Sequence, residues 1–574
     1  MRNQQNHIVR MTNDIARGAG MWTRRTVTRG LAGAGLAAIT ARGAFAAPQT
    51  AVGAPIAKTA SGALRGVVDG GVLAFLGVPY GAPTGGARRF MPPQPPAPWR
   101  GVRDAAAYGA TCPQVPLGVS PFAKRDPAAP PVAPSAMQVQ LGSLFARTPA
   151  DEHQSEDCLM LNVWTRALDS AKRPVMVWLH GGGFAVGSGS HAAYDGARLA
   201  AGDEVVVVTI NHRLSVFGYL YLGGIAGEAF AQSGNVGMLD IVAALEWVRD
   251  NIARFGGDPH NVTIFGESGG AGKVSVVCAM PAAKGLFHKA IMQSGPCLTI
   301  QDEERGTAIA RQLLDDLGLT PQRIAELQNL DAAKLAAVAA ASEVKVVPRV
   351  LGFGPQGLIP LIDGRVLYHE PFDRIAAVES AGVPFLVGST KDEATLFAGP
   401  LPDWGRFTDA QVLEKLKPLA GARAAQALAL YKRLHPADSP SYLLVDLVTD
   451  FWMRQSANQV AELKSRQNAA PAFVYVLGWE LNPLLRTPHG TDVPLVFDNV
   501  AASPAVAAAA GAQQVSDQMS AAWVAFARTG NPNTAALPHW PAYSLGTRAN
   551  MLFDVKSRVV EDYGKSAREF WESA

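Results

Sequence analysis

Three sets of residues in this 574-residue chain have the types and spacing that chemistry requires. The first is Ser268 in "GESGG", residues 266–270, where the β-forming run "NVTIFG" gives way to small residues. A serine on a G-x-S-x-G turn between strand and helix is lifted above the sheet edge, where its hydroxyl can attack a carbonyl carbon. The second is "WLHGGGF", residues 178–184, at the end of another apolar run. Its consecutive glycines let the N–H groups of Gly182 and Gly183 converge, together with that of Gly269, on an oxygen that gains negative charge during attack. The third set must supply a base, because a serine hydroxyl at neutral pH has to lose its proton as it attacks. "ESGGAGKV" ends like a phosphate-binding loop, but Glu267 stands where the first glycine is needed and Val274 where Ser/Thr must follow Lys273, so that chemistry is excluded.

In the strand-turn-helix arrangement the chain order is serine, acid, histidine. The histidines after Ser268 are His288, His369, His435, His489 and His539. His288 precedes a strand-like run, His435 ends a helical one, and His539 lies in "LPHWP" near the C-terminus. His489 follows the apolar run "PAFVYVLGW" and stands in the glycine-bearing loop "PHGTD", so elimination leaves it as the base. The acid that orients it must follow a strand between the two. "VPFLVGSTKDEATLF" offers Asp392 and Glu393 side by side, and spacing does not choose between them.

These residues need a frame. "LMLNVW", "PVMVWLH", "EVVVVTINH" and "NVTIFG" are dense apolar runs, and "MLDIVAALEWVRDNIARFG" has helical spacing. Strands with little polar alternation between helical segments predict a parallel sheet covered on both faces. "GALRG" and "GVLAFLGVPYG" near the start predict short antiparallel strands. Ala/Leu-rich stretches at 300–350 and 405–465 predict helical insertions around the later strands at 383–389 and 471–479. The expected organisation is α/β: one catalytic domain over residues 47–574 built on a large, mostly parallel sheet.

Composition narrows the function. Residues 23–29, "TRRTVTR", precede the apolar "GLAGAGLAAITA" and the A-x-A site of Ala44 and Ala46, which is the order of an export signal over residues 1–46 with a twin-arginine-like pair at Arg24 and Arg25. Removing that segment takes away seven arginines and one aspartate and turns a formal net charge of +3 into −3. The remainder lacks the basic stripe of a nucleic-acid binder. It has no apolar run of the ~20 residues that would span a bilayer, so the only expected export partner is the transport machinery. No Cys/His spacing suggests a metal, and no cofactor is implied. Of the four cysteines, Cys112 and Cys158 flank the Pro/Ala-rich residues 121–136, a loop that a bridge would close, while Cys278 and Cys297 are expected to stay reduced in the core.

Taken together, "FLGVPYG", "RRFMPPQPPAPW", "SEDCLMLNVW", "HGGGF", "NHRLSVFGYL", "GNVGMLDIVAALEWVRDNIARFGGDPHNVTIFGESGG", "HKAIMQSG", "KDEATLF", "HGTDVPLVF" and "FARTGNPN" resemble the type-B carboxylesterases and their cholinesterase relatives in the α/β-hydrolase superfamily. The resemblance implies Ser268 as nucleophile, Glu393 as acid, His489 as base, an oxyanion hole at Gly182, Gly183 and Gly269, and a Cys112–Cys158 disulfide. Two features depart from it. Glycine follows the serine where many animal members have alanine, and residues 121–136 have no evident counterpart. The implied activity is hydrolysis of a small-molecule carboxylic ester through an acyl-enzyme. An amidase, a carbamate hydrolase or a toxin-ester hydrolase would use the same machinery, and a non-catalytic binding protein would lack part of it. Phe184 and Trp452 are candidate walls of the substrate pocket.

Overall fold

The computed structural model describes residues 53–115, 134–145, 152–203, 205–347 and 356–573. The export segment with its cleavage site, and residues 121–133 of the Pro/Ala-rich stretch, lie outside the described residues. In chain order the strands are β1 (Ile56–Lys58), β2 (Ala63–Arg65), β3 (Val67–Asp69), β4 (Val72–Pro79), β5 (Val102–Asp104), β6 (Met160–Thr165), β7 (Arg173–Leu179), β8 (Val206–Ile210), β9 (Gly257–Glu267), β10 (Lys289–Gln293), β11 (Phe385–Thr390), β12 (Ala472–Leu477), β13 (Ala549–Phe553) and β14 (Arg558–Glu561). Three short ones form a small sheet in the order β1-β2-β5. The others form one sheet in the order β14-β13-β12-β11-β10-β9-β7-β8-β6-β4-β3.

From β13 to β8 every neighbouring pair is parallel. At one edge β14 pairs antiparallel with β13, and at the other β6, β4 and β3 continue antiparallel from β8. The expectation of a mostly parallel sheet therefore holds for its centre. β6, as apolar as its neighbours, runs antiparallel, because an unbroken apolar run reports burial on both faces and not strand direction.

β7 shows how the sheet is covered. Val175, Val177 and Leu179 belong to one buried cluster, and Met176 and Trp178 to a second on the opposite face. Successive side chains point to opposite faces of a strand, so a strand with helices on both sides shows no polar alternation. A third cluster, including Val412, Leu428, Tyr431, Leu444 and Leu447, forms the interior of the helical excursion between β11 and β12. The helices Asp409–Ala420, Ala424–Leu434 and Pro440–Thr449 supply it together with Ala567 and Trp571 of the C-terminal helix, and the chain passes through a π-helical turn at Asp450–Arg454 into the helix Gln455–Gln467, whose Ala457, Val460 and Ala461 join the first cluster.

Candidate active site

The parallel strands deliver their C-terminal ends to one rim, and the reactive residues sit in the loops that leave it. Ser268 lies between the last residue of β9 and the first turn of the helix Gly269–Cys278, with φ 57° and ψ −124°. That left-handed backbone costs a non-glycine residue on the order of 1–3 kcal/mol and persists only where neighbours impose it. Here the Ser268 N–H donates to Gln293 O (2.8 Å) and the Gly272 N–H donates to Ser268 O (3.0 Å). The small residues around the serine are explained by the same crowding: a Cβ at Gly270 would lie 1.9 Å from Leu179 O, so only glycine lets the helix start this close to β7.

The glycine loop after β7 lies against that helix. Gly182 and Gly183 adopt φ of 86° and 63°. A Cβ at residue 269 would come 2.2 Å from Gly183 O, so glycine in place of the more usual alanine lets the loop rest directly on the helix N-terminus. Gln356 closes the other side, its Oε1 accepting the Phe184 N–H at 2.9 Å.

His489 Nδ1–H donates to Glu393 Oε2 at 2.5 Å, and Glu393 Oε1 accepts the Thr390 N–H at 2.6 Å. Asp392 turns the other way. It exchanges bonds with the histidine loop, accepting the Thr487 N–H at 3.2 Å and donating its own N–H to Thr487 O at 3.1 Å, and it lies 3.6 Å from the Arg486 guanidinium. Arg486 in turn grips Asp438 with two bonds of 2.5 and 3.1 Å. One carboxylate thus contacts the imidazole, and its neighbour fastens the loop that carries it. Both follow β11 by two or three residues, since that strand runs on to Thr390, one residue past the expected 383–389.

Ser268 and His489 are not hydrogen bonded to each other. His489 Nε2 has no hydrogen-bond partner and faces Glu267 Oε1 at 3.2 Å. Glu267 is the residue before the serine and is only 5% exposed. Sequence reasoning gave it no role, although its place inside the motif was the one available signal. Burial raises the Glu267 carboxyl well above the usual carboxylate range. His489 is also raised: burial opposes its charge, but Glu267 and then Glu393 outweigh it. Each group's charge favours the charged form of the other. A base must be neutral to accept a proton, so each negative neighbour moves the onset of activity to higher pH. Glu267→Gln is expected to shift the ascending limb of the kcat/KM pH profile downward, by about one unit or more. An unmoved limb in a folded variant would separate Glu267 from the histidine.

Aromatic rings pack beside the histidine. Phe397 lies 5.1 Å from the His489 ring and 5.5 Å from Trp452. Trp452, expected as a pocket wall, thus reaches the histidine through Phe397, which sequence reasoning passed over. Phe184 is buried edge-to-face on Tyr219 at 5.3 Å.

All four cysteines carry unbonded sulfurs in the structure. Cys112 and Cys158 are both buried, and the Cys112 thiol is the main influence raising the pKa of Cys158. The two thiols are neighbours. Cys278 lies in the core as expected, whereas Cys297 is partly exposed.

The profile of the carboxylesterase family matches residues 53–571. The chain belongs to the carboxylesterase family. It is 36% identical over 520 residues to the para-nitrobenzyl esterase of Bacillus subtilis, covering 90% of this chain and 98% of that one. It is 33% identical over 509 residues to the fumonisin B1 esterase of Sphingopyxis macrogoltabida, covering 85% and 84%. A crystal structure of a Geobacillus stearothermophilus carboxylesterase superimposes with a TM-score of 0.76 at 36% identity, over 90% of this chain and 99% of that one. The carboxylesterase is thus a serine hydrolase of carboxylic esters with the α/β-hydrolase fold, of type B. Among the described residues no helix is long and apolar enough to cross a membrane.

Proposed function

We propose that this carboxylesterase cleaves its ester with Ser268 as nucleophile, His489 as general base and then acid, and Glu393 as the group that orients and stabilises the imidazolium. The observation that carries this reading is the 2.5 Å bond from His489 Nδ1 to Glu393, which leaves Nε2 facing the serine's own neighbour, Glu267. His489 takes the Ser268 proton as the oxygen attacks. The carbonyl oxygen then lies against the N–H groups of Gly182, Gly183 and Gly269, and His489 returns the proton to the leaving alcohol. Water repeats the sequence to release the acid. The missing Ser268–His489 bond is compatible with a hydrogen bond that tightens only when substrate fills the site.

A fluorophosphonate probe tests the assignment. Stoichiometric labelling with the adduct on Ser268 is expected by mass spectrometry. An adduct on any other serine refutes the nucleophile.

The acyl and alcohol groups are not fixed by the family, since relatives are named for a para-nitrobenzyl ester, for phenmedipham and for fumonisin B1. The aromatic group Phe397–Trp452 beside His489 favours an ester with an apolar or aromatic part there. Kinetics on a panel of esters varying acyl length and alcohol bulk would define it.

The reading includes export to the periplasm or medium, supported by the basic, apolar, small-residue order of residues 23–46. In an oxidising compartment the neighbouring thiols of Cys112 and Cys158 are placed to form a bridge. By loop entropy it would contribute about 4 kcal/mol at most. Protein recovered outside the cytoplasm is expected to begin near Ala47 and to yield a Cys112–Cys158 peptide pair before reduction. An intact Met1 or Met21 would refute cleavage, and a Cys278–Cys297 pair would refute the bridge.

A further inference from the structure

Lys273 lies on the helix Gly269–Cys278 and is completely buried, at 0% exposure. Its Nζ donates to His180 O at 2.9 Å. Among the described residues no carboxylate pairs with it, and burial pulls its pKa down to about 7. The groups that face it come from three other elements: His180 at the end of β7, His212 after β8, and Cys297 after β10. The two imidazoles stack at 5.0 Å with an interplanar angle of 11°. Each places Nδ1 on a backbone carbonyl, Gly181 O at 2.9 Å and Arg213 O at 3.0 Å. Each therefore keeps a bare Nε2 that is buried without a partner. Burial first, and then the charge of Lys273, hold both imidazoles neutral.

An unpaired lysine in an apolar interior is costly, so its position needs a reason. Its bond joins the two sources of oxyanion donors. His180 is the residue before Gly181, and Gly182 and Gly183 follow with left-handed backbones whose N–H directions depend on how the turn begins. Gly269, the third donor, heads the helix on which Lys273 sits. The two elements also meet where Gly269 approaches Gly183, where Gly270 approaches Leu179 O, and where Lys273 Nζ lies 5.9 Å from the Phe184 ring, but the Lys273 bond is the one that fixes a carbonyl of the turn itself.

We propose that Lys273 is a positioning residue of the oxyanion hole: its Nζ–H···O bond to His180 holds the Gly181–Gly183 turn at a fixed distance from the Gly269 N–H. The proposal rests on the assignment of Gly182, Gly183 and Gly269 as the donors. An apolar residue at 273 would leave His180 O without its donor and let the turn rotate. Removing one oxyanion donor outright typically costs 10²–10³-fold in kcat, so loosening two of them should cost somewhat less.

Lys273→Met keeps the length of the side chain but removes both donor and charge. The expected result is a fall in kcat of about 10- to 100-fold with KM within about twofold. Affinity for a trifluoromethyl ketone, whose hemiketal with Ser268 carries an oxyanion, should fall by the same factor as kcat/KM. The Tm should stay level or rise, because an ammonium has left an apolar site. A structural lysine would give the opposite pattern, with lower Tm and unchanged kcat. If Lys273→Met does not fold, Lys273→Gln, which is polar, uncharged and too short to reach the carbonyl, reads the same ratio. A kcat and inhibitor affinity within threefold of wild type in a folded variant overturns the proposal, as does a fall in kcat without matching loss of inhibitor affinity. Failure of fluorophosphonate to label Ser268 in the wild type would instead overturn the assignment beneath it.

Discussion

Ser268→Ala is expected to lower kcat on an activated ester by about 10⁶-fold, to near the rate that the binding site alone sustains. Alanine keeps the Cβ and therefore the same left-handed strain at φ 57°, so the thermal midpoint should not move. The single missing atom is the oxygen that attacks. Single-turnover measurement on a para-nitrophenyl ester, with circular dichroism to confirm the fold, gives the comparison. Residual turnover above about one per cent, after contamination by wild type is excluded, would mean that another nucleophile does the work.

The second large effect distinguishes two adjacent carboxylates. Glu393→Gln retains the shape of the side chain that contacts His489 but removes the charge that stabilises imidazolium. Comparable changes cost about 10⁴-fold in kcat. Asp392→Asn should cost less than about tenfold in kcat, because Asp392 accepts from the Thr487 backbone and lies near Arg486, away from the imidazole. Its loss should appear in stability, since asparagine can still accept that N–H but no longer attracts the guanidinium. If both variants fold and Asp392→Asn is the more damaged in kcat, the acid is Asp392.

Residue chemistry made much of this site legible before any coordinates. Ser268 and the glycine loop announce themselves because their backbone conformations admit so few residue types. His489 was reachable by elimination, since a base must leave a strand end. The choice between Asp392 and Glu393 was not, because it depends on which way two successive side chains turn after Thr390. Glu267 and Phe397 were missed for a related reason: each touches the histidine across more than ninety residues of sequence, and no local pattern encodes such a meeting. Lys273 was noticed only as part of a failed phosphate-loop motif; its burial against β7 belongs to the packing.

The order of the large sheet also has a consequence in time. β9, which presents Ser268, is flanked by strands made before and just after it, but His489 leaves β12 and the face beneath β9 is closed by Trp523, whose indole donates to Gln293 at 3.0 Å. About 220 residues separate serine from histidine, roughly 10 to 45 s of synthesis at 5–20 residues per second. On the proposed assignment a nascent chain therefore carries its nucleophile for about 10 to 45 s without a base to arm it. On that assignment turnover of esters must wait for the histidine loop, and a chain that stops short of β13 and β14 would leave β12 as an exposed sheet edge.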